Sequence, residues 1–496
     1  MPAAAPPARA YRPRRFDGRP LLTPGDRHLV GRFSYGLSPA LGAEVRKAGG
    51  AAAWFERQLE PDRVADPAGD DVDTWWPSLR RGPKELWTRN VEEVEGGWEV
   101  MQSLQRHALA RRTVSRRQVH EVMTEFWQHL LNVPVHSDGS FTHRASYDRA
   151  VRQHALGSFA DLLHATTTHP AMGIFLSNAV STRKHPNENL GRELLELHTV
   201  GRGAYTEDDV KASARILTGW RVDLWRTWEA TYSLEDHWTG PVQVIGFTDD
   251  NAPRTEAEGR ALTRRYTDYL ARHPSTAERV ARRLAVKFVG DAPSEALVAM
   301  LARTYLRADT AVRPVLRALV ASDEFRAARG SKVRDPAEDV VATYRALGVR
   351  IARPTQGDSA VNAMLWQAAN LGAEPYAWPT PDGQPVDNRS WASPSRMLAS
   401  LDLHYSMSGA WWPSKDVTYR TDRQWLPRRS LRFDLLVDHL SQQLLGRRST
   451  SALLRACCES VDVTPATVMD AEHGVVKWNM HRVLATVLDS PAHLTR

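Results

Sequence analysis

Cysteine is scarce, long apolar runs are missing, and neither sign of charge dominates. Only Cys457 and Cys458 occur among 496 residues, and they are neighbours. Adjacent cysteines rarely bridge each other because the geometry is strained, so no disulfide framework is expected. No apolar stretch approaches the ~18 residues of a membrane-spanning helix. The first twenty residues carry Arg9, Arg12, Arg14, Arg15 and Arg19, including a twin arginine. No hydrophobic segment follows them, so they are not read as a signal peptide, and the cytoplasm is the expected compartment. The 65 basic and 58 acidic residues leave a net charge of only +7. The basic residues are dispersed, and no zinc-finger, RNP or basic-zipper pattern occurs, so nucleic acid is not an expected partner. Catalytic fingerprints are missing too: there is no Gly-x-Ser-x-Gly elbow, phosphate-binding Walker loop or dinucleotide glycine pattern.

What is present is helical spacing. Hydrophobic residues make up 42% of the chain, enough for a large core. Apolar positions recur every three or four residues, and period-two alternation is rare. The expected fold class is mainly α, an irregular multi-helix globular fold with a few short extended segments and a Pro/Gly-rich loop. Thr23-Pro24 reads as an N-cap with proline at the first helical position. Helices are expected over 116–132, 154–168, 187–199, 206–217, 256–273, 275–288, 294–306, 311–321 and 336–347. Residues 242–247 are the best short strand. Between Gly372 and Pro394 four further prolines and Asp382-Gly383 predict a long ordered loop or a boundary, with Trp378 and Trp391 packing it down. The organisation expected is a flexible Arg/Pro-rich tail over 1–22, a main helical body over 23–350, a Pro/Trp-rich loop region over 351–428 packed on the body, and C-terminal helices over 429–496.

The most informative polar surface lies between Pro186 and Trp220. Asn187 suits an N-cap. On the following helix Leu190, Leu194 and Leu197 share one face, with Gly191 beside them. Glu188, Asn189, Arg192, Glu193 and Glu196 share the other. Arg192 is four residues from both Glu188 and Glu196, so a solvated ion-pair ladder explains the face. The sharper alternative, second to the ladder on this helix alone, is a cleft: Glu188, Glu193 and Glu196 would hold a divalent metal, the one cofactor expected, or activate water. Thr206 and Asp209 form a capping-box pattern, Gly219 is a helix stop, and Arg215 lies one turn before it. Earlier, Glu125 and His129 are four apart, a spacing that suits a surface pair or two metal ligands. His198 falls on the leucine face, where a core histidine is the default. His237 sits in a loop with Trp238 and is the histidine best placed for chemistry.

Four stretches together resemble a bacterial family, domain of unknown function 1800. They are 153–159 with His169-Pro170-Ala171-Met172, 186–201, 205–220, and Trp378-Pro379-Thr380-Pro381-Asp382-Gly383. The resemblance runs from about Thr23 to the C-terminus. It implies a helical protein with no established activity, often encoded beside a sulfatase-like family, domain of unknown function 1501. That implies a partner, and export in complex with a twin-arginine-signal partner as the alternative to the cytoplasm. The chain departs from the family pattern in two places. Leu130 follows His129 where members have Phe-Trp-x-Asn-His, and the loop at His237 lacks the aspartate and lysine of His-Asp-x-Gly-x-Lys.

Two functions follow as expectations. One is a metal-assisted enzyme, a hydrolase, with catalytic Glu193, Glu196, His237 and Arg192, and with Asn187, Glu188, Asn189, Tyr205, Asp209, Arg215 and Trp220 binding the ligand. The other is a non-catalytic partner or assembly factor of a sulfatase-like protein. A binder of anionic polymers, resting on 17 tryptophans and a basic pI near 9.4, ranks below both.

Overall fold

The computed structural model describes residues 11–18 and 20–496. Among them the chain is mainly helical, with 24 α-helices and four two-stranded antiparallel pairs. The local reasons match the sequence. Thr23 accepts a hydrogen bond from the Asp26 N–H and opens Pro24–Arg32. Asp335 and Glu338 form a reciprocal capping box on Pro336–Leu347. Each satisfies backbone donors that a helix start leaves orphaned. Helices at Gln118–Leu130, Glu207–Ile216, Glu256–Ala271, Pro274–Phe288, Glu295–Arg307 and Val312–Ala321 lie where the apolar spacing puts them. Val242–Val244 pairs with Phe247–Asp249 as a tight hairpin.

Two expected helices differ. His154 ends the helix Phe141–His154, and a new one starts at Phe159 behind Ser158, which accepts from the Asp161 N–H. A serine cap competed successfully with continued helix. The helix expected over 187–199 is α-helical only from Glu188 to Glu193 and then widens into a π-turn over Leu194–His198.

One continuous core joins residues from Tyr11 to Leu488, and a smaller one forms around Leu86, Met101, Phe141 and Tyr376. Tyr11 and Phe16 are buried, and the Phe16 N–H donates to Asp438 at 2.9 Å. Within the segment expected as a flexible tail, Phe16 is therefore packed against the helix Phe433–Leu445, and Arg455 of Ser451–Val461 lies over the Tyr11 ring. Residues 1–10 and 19, with Arg9 and Arg19, lie outside the described residues.

Two glycines permit close approaches. A Cβ at Gly191 would lie 2.9 Å from the Ala214 nitrogen, so only glycine lets Glu188–Glu193 cross Glu207–Ile216 at this distance. The loop between Leu371 and Pro394 carries no helix or strand, and Trp391 is buried in it. Its Gly383 has φ +72° and lies so close to the His129 carbonyl that a Cβ would fall 1.7 Å from the oxygen. Asn132 Nδ2 donates to the carbonyls of Trp378 and Thr380, both at 2.8 Å, and fixes the same loop. No helix among the described residues is long and apolar enough to cross a membrane.

Candidate functional site

The residues chosen from the sequence form a polar ridge with its own partners. Asn187 caps the helix by accepting from the Asn189 N–H. Arg192 grips both oxygens of Glu207 at 2.7 Å and reaches Glu188 at 3.5 Å. Glu196 accepts from Tyr205 at 2.5 Å and from Arg202 at 2.6 Å. Glu193 is half-buried, and burial followed by the charge of Glu196 raises its carboxyl above the usual range. Asp382 adds to that field, so the Pro-rich loop faces the ridge electrostatically. Asp209 is the reciprocal partner in the Thr206 capping box, accepting from the Thr206 N–H and from the Ile245 N–H. Arg215 lies over the Trp238 ring and Arg260 over the Trp220 ring.

Among the described residues, Glu188, Glu193 and Glu196 do not converge within ligand-sharing distance. Glu188 and Glu196 face different arginines instead. His237 is buried and bonded elsewhere: Nε2 meets Asn251 Oδ1 at 2.7 Å and Nδ1 meets the Thr218 carbonyl at 3.0 Å. No hydrogen bond or ion pair among the described residues joins it to Glu193, Glu196 or Arg192. His129 does not pair with Glu125 either. Its carbonyl accepts from Arg283, while Glu125 takes Arg112 at 2.7 Å.

Two other groups of ligand-type side chains do converge, and both are buried. The first is Glu125, Asp335 and Glu338. Lys287 occupies its middle, with Nζ 2.8 Å from Glu338, 3.7 Å from Glu125 and 3.8 Å from Asp335. Arg112 and Arg496 complete the balance of three acids against three bases. The ammonium already stands where a metal ion would, so this group is an ionic core.

The second is Asp339, His404 and His493, from the helices Pro336–Leu347, Pro394–Ser408 and Pro491–Leu494. Asp339 Oδ1 lies 3.3 Å from His404 Nε2 and 3.8 Å from His493 Nε2. Zinc-type bonds of ~2.0–2.2 Å in a tetrahedron put ligand atoms roughly 3.3–3.5 Å apart, close to these spacings. The remaining atoms are held in place. Asp339 Oδ2 accepts from Arg396 at 2.9 Å and Ser400 at 2.7 Å. His404 Nδ1 faces Asp489 Oδ1 at 2.8 Å. A carboxylate on the far nitrogen of a histidine fixes its tautomer and raises its basicity, the arrangement common around metal-ligating rings. Burial alone would lower the His404 pKa, but bonds to Asp339 and Asp489 outweigh it and raise it to about 9. Burial and the charge of His404 push His493 well below the ordinary histidine value.

His493 also lines a pocket of about 190 Å³ between the helices Pro24–Arg32, Pro336–Leu347 and Phe433–Leu445. His493 is thus shared between the buried cluster and the pocket wall, while its Nε2 also lies 3.2 Å from Thr343 Oγ1. Sequence reasoning missed all three residues. They are 65 and 89 positions apart, Asp339 looks like first-turn helix acid, and nothing local marks His404 or His493.

A mainly helical protein with a buried carboxylate–histidine cluster defines a class by architecture. The chain belongs to the family described as protein of unknown function (DUF1800), whose model matches residues 28–495. No curated protein and no solved structure matches it.

Proposed function

We propose that the protein is a metal-assisted hydrolase whose ion is held by Asp339, His404 and His493. The observation that carries this reading is the position of His493, which belongs to the three-donor cluster and also lines the pocket. Three protein donors with a fourth side open is the pattern of catalytic rather than structural zinc. An ion there would lower the pKa of a bound water and supply the nucleophile. Asp489, Arg396 and Ser400 orient the donors.

The test is elemental analysis and zinc titration of the full chain beside Asp339→Asn, His404→Gln and a Glu193→Ala/Glu196→Ala double variant. One equivalent is expected in the wild type and in the double variant, and none in folded Asp339→Asn or His404→Gln. A metal that vanishes only from the double variant would return the site to the 186–220 ridge.

A second reading, a non-catalytic partner of a sulfatase-like protein, has one supporting observation. Exposed Tyr405 and Trp411 pack edge-on against each other and close against His481, with exposed Trp478 one turn away. Contiguous exposed aromatics suit a protein interface. Co-expression with a sulfatase-like partner and a pull-down tests it, and failure to copurify removes its support.

A further inference from the structure

The pocket above His493 is lined by five arginines, Arg27, Arg329, Arg334, Arg447 and Arg496. No carboxylate side chain lines it among the described residues. Of the five, only Arg496 pairs with a described carboxylate, Glu338 at 2.6 Å. Arg334 and Arg496 are more than nine-tenths buried. Arg334 Nη1 and Arg496 Nε and Nη1 nevertheless have no hydrogen-bond partner. Arg32, fully buried just behind them, leaves Nε and Nη1 unpartnered as well. Burial, and then the charge of Arg496, lowers its pKa to about 8. Burying charge without a counter-charge is costly, and buried donors left unmade add to the cost. Folding nonetheless gathers these cations around one cavity.

We infer that this pocket is a binding site for a tetrahedral oxyanion, the phosphate or sulfate group of a monoester. Planar guanidinium groups present paired N–H donors that match the oxygens of such a group. Its charge offsets the mutual repulsion of the arginines. The cavity of about 190 Å³ exceeds the ~30 Å³ share of one water several-fold, which leaves room for part of an attached organic group. The anion site stands on the arginines alone. The substrate class rests on the metal reading above: with His493 at the pocket wall, the group hydrolysed would be the bound ester. In that step the oxygen of water bonds to phosphorus or sulfur and the ester oxygen leaves. One proton of the water ends on the departing alcohol, and the free oxyanion keeps the other.

The experiment is calorimetric titration of the full chain with inorganic phosphate, sulfate and phenyl phosphate, against sodium chloride at matched ionic strength. It is run before and after chelation of metal. Saturable binding of the oxyanions is expected in both states, with none for chloride. Arg447→Glu and the exposed Arg329→Glu should each weaken it at least tenfold. Arg329→Glu keeps the test open if Arg447→Glu fails to fold. No saturable binding, or binding indifferent to both variants, overturns the site. Binding that disappears on chelation would put the oxyanion on the ion and overturn the arginine site while supporting the metal. Binding that persists in a chain without metal affinity would leave the arginine site standing and sink the metal-assisted reading.

Discussion

His404 is held between two carboxylates, with Nδ1 2.8 Å from Asp489 and Nε2 3.3 Å from Asp339. A ring so placed, in a buried setting, is occupied by a proton on each nitrogen or by a proton on one and a cation at the other. Asp489 is about one-third exposed, while Asp339 and His404 are fully buried. Asp489 is thus the one member of these three that solvent reaches.

Asp489→Asn should keep the fold and weaken metal binding by ten- to a hundredfold, the usual effect of removing an orienting carboxylate. Zinc titration against a competing chelator reads this. An unchanged affinity would mean that Asp489 does not orient a ligand.

Glu121 lies between Arg111 at 2.9 Å and Arg152 at 2.8 Å, fully enclosed. Glu121→Gln would leave two buried guanidinium groups without their shared acid and should cost about 3–5 kcal/mol. Urea unfolding at neutral pH measures it.

The same residue sets an acid dependence. Burial would raise its carboxyl, but the charges of Arg152 and Arg111 hold it well below the ordinary 4.5. A depressed folded pKa contributes stability that is complete above the unfolded value and is lost as pH falls below about 4.5 towards the folded one. Unfolding free energy measured from pH 6 to pH 3 should fall, and the fall should be shallower in Glu121→Gln. Parallel curves would count against the assignment.

Lys287→Met should destabilise the chain by about 3–5 kcal/mol, because three buried carboxylates then lose their common cation. The midpoint of thermal unfolding checks this. A change below about 1 kcal/mol would show that Arg112 and Arg496 suffice.

Gly383→Ala should cost about 1–3 kcal/mol, since the residue must hold a positive φ and its new methyl meets the His129 carbonyl. Proteolysis within 372–393 should quicken together with the fall in melting temperature. Unchanged cleavage would mean that the loop accommodates the methyl.

Much of the fold was legible because its causes are local. The limits of Pro336–Leu347 follow from Asp335-Pro336 at one end and Gly348 at the other, which takes the left-handed conformation after the last turn. The role of Gly191 follows from its place on a leucine face. The π-turn at Leu194–His198 was not legible, because nothing in Leu-Leu-Glu-Leu-His disfavours ordinary helix. Neither was the burial of His237, whose partners Thr218 and Asn251 are 19 and 14 residues away.

By itself the sequence determined the helices its apolar spacing marks at Gln118–Leu130, Glu207–Ile216 and Pro336–Leu347, the close approach at Gly191, the Pro-rich loop and the family. Each depends on residues a few positions apart, or on a long signature read in order. Only the tertiary structure decided which polar groups meet. Asp339, His404 and His493, and the arginines at 27, 329, 334, 447 and 496, are scattered along the chain and carry no shared local pattern. They come together because apolar burial packs the first helix against the last ones. That packing carries their charges into one place, and no spacing in the sequence records it.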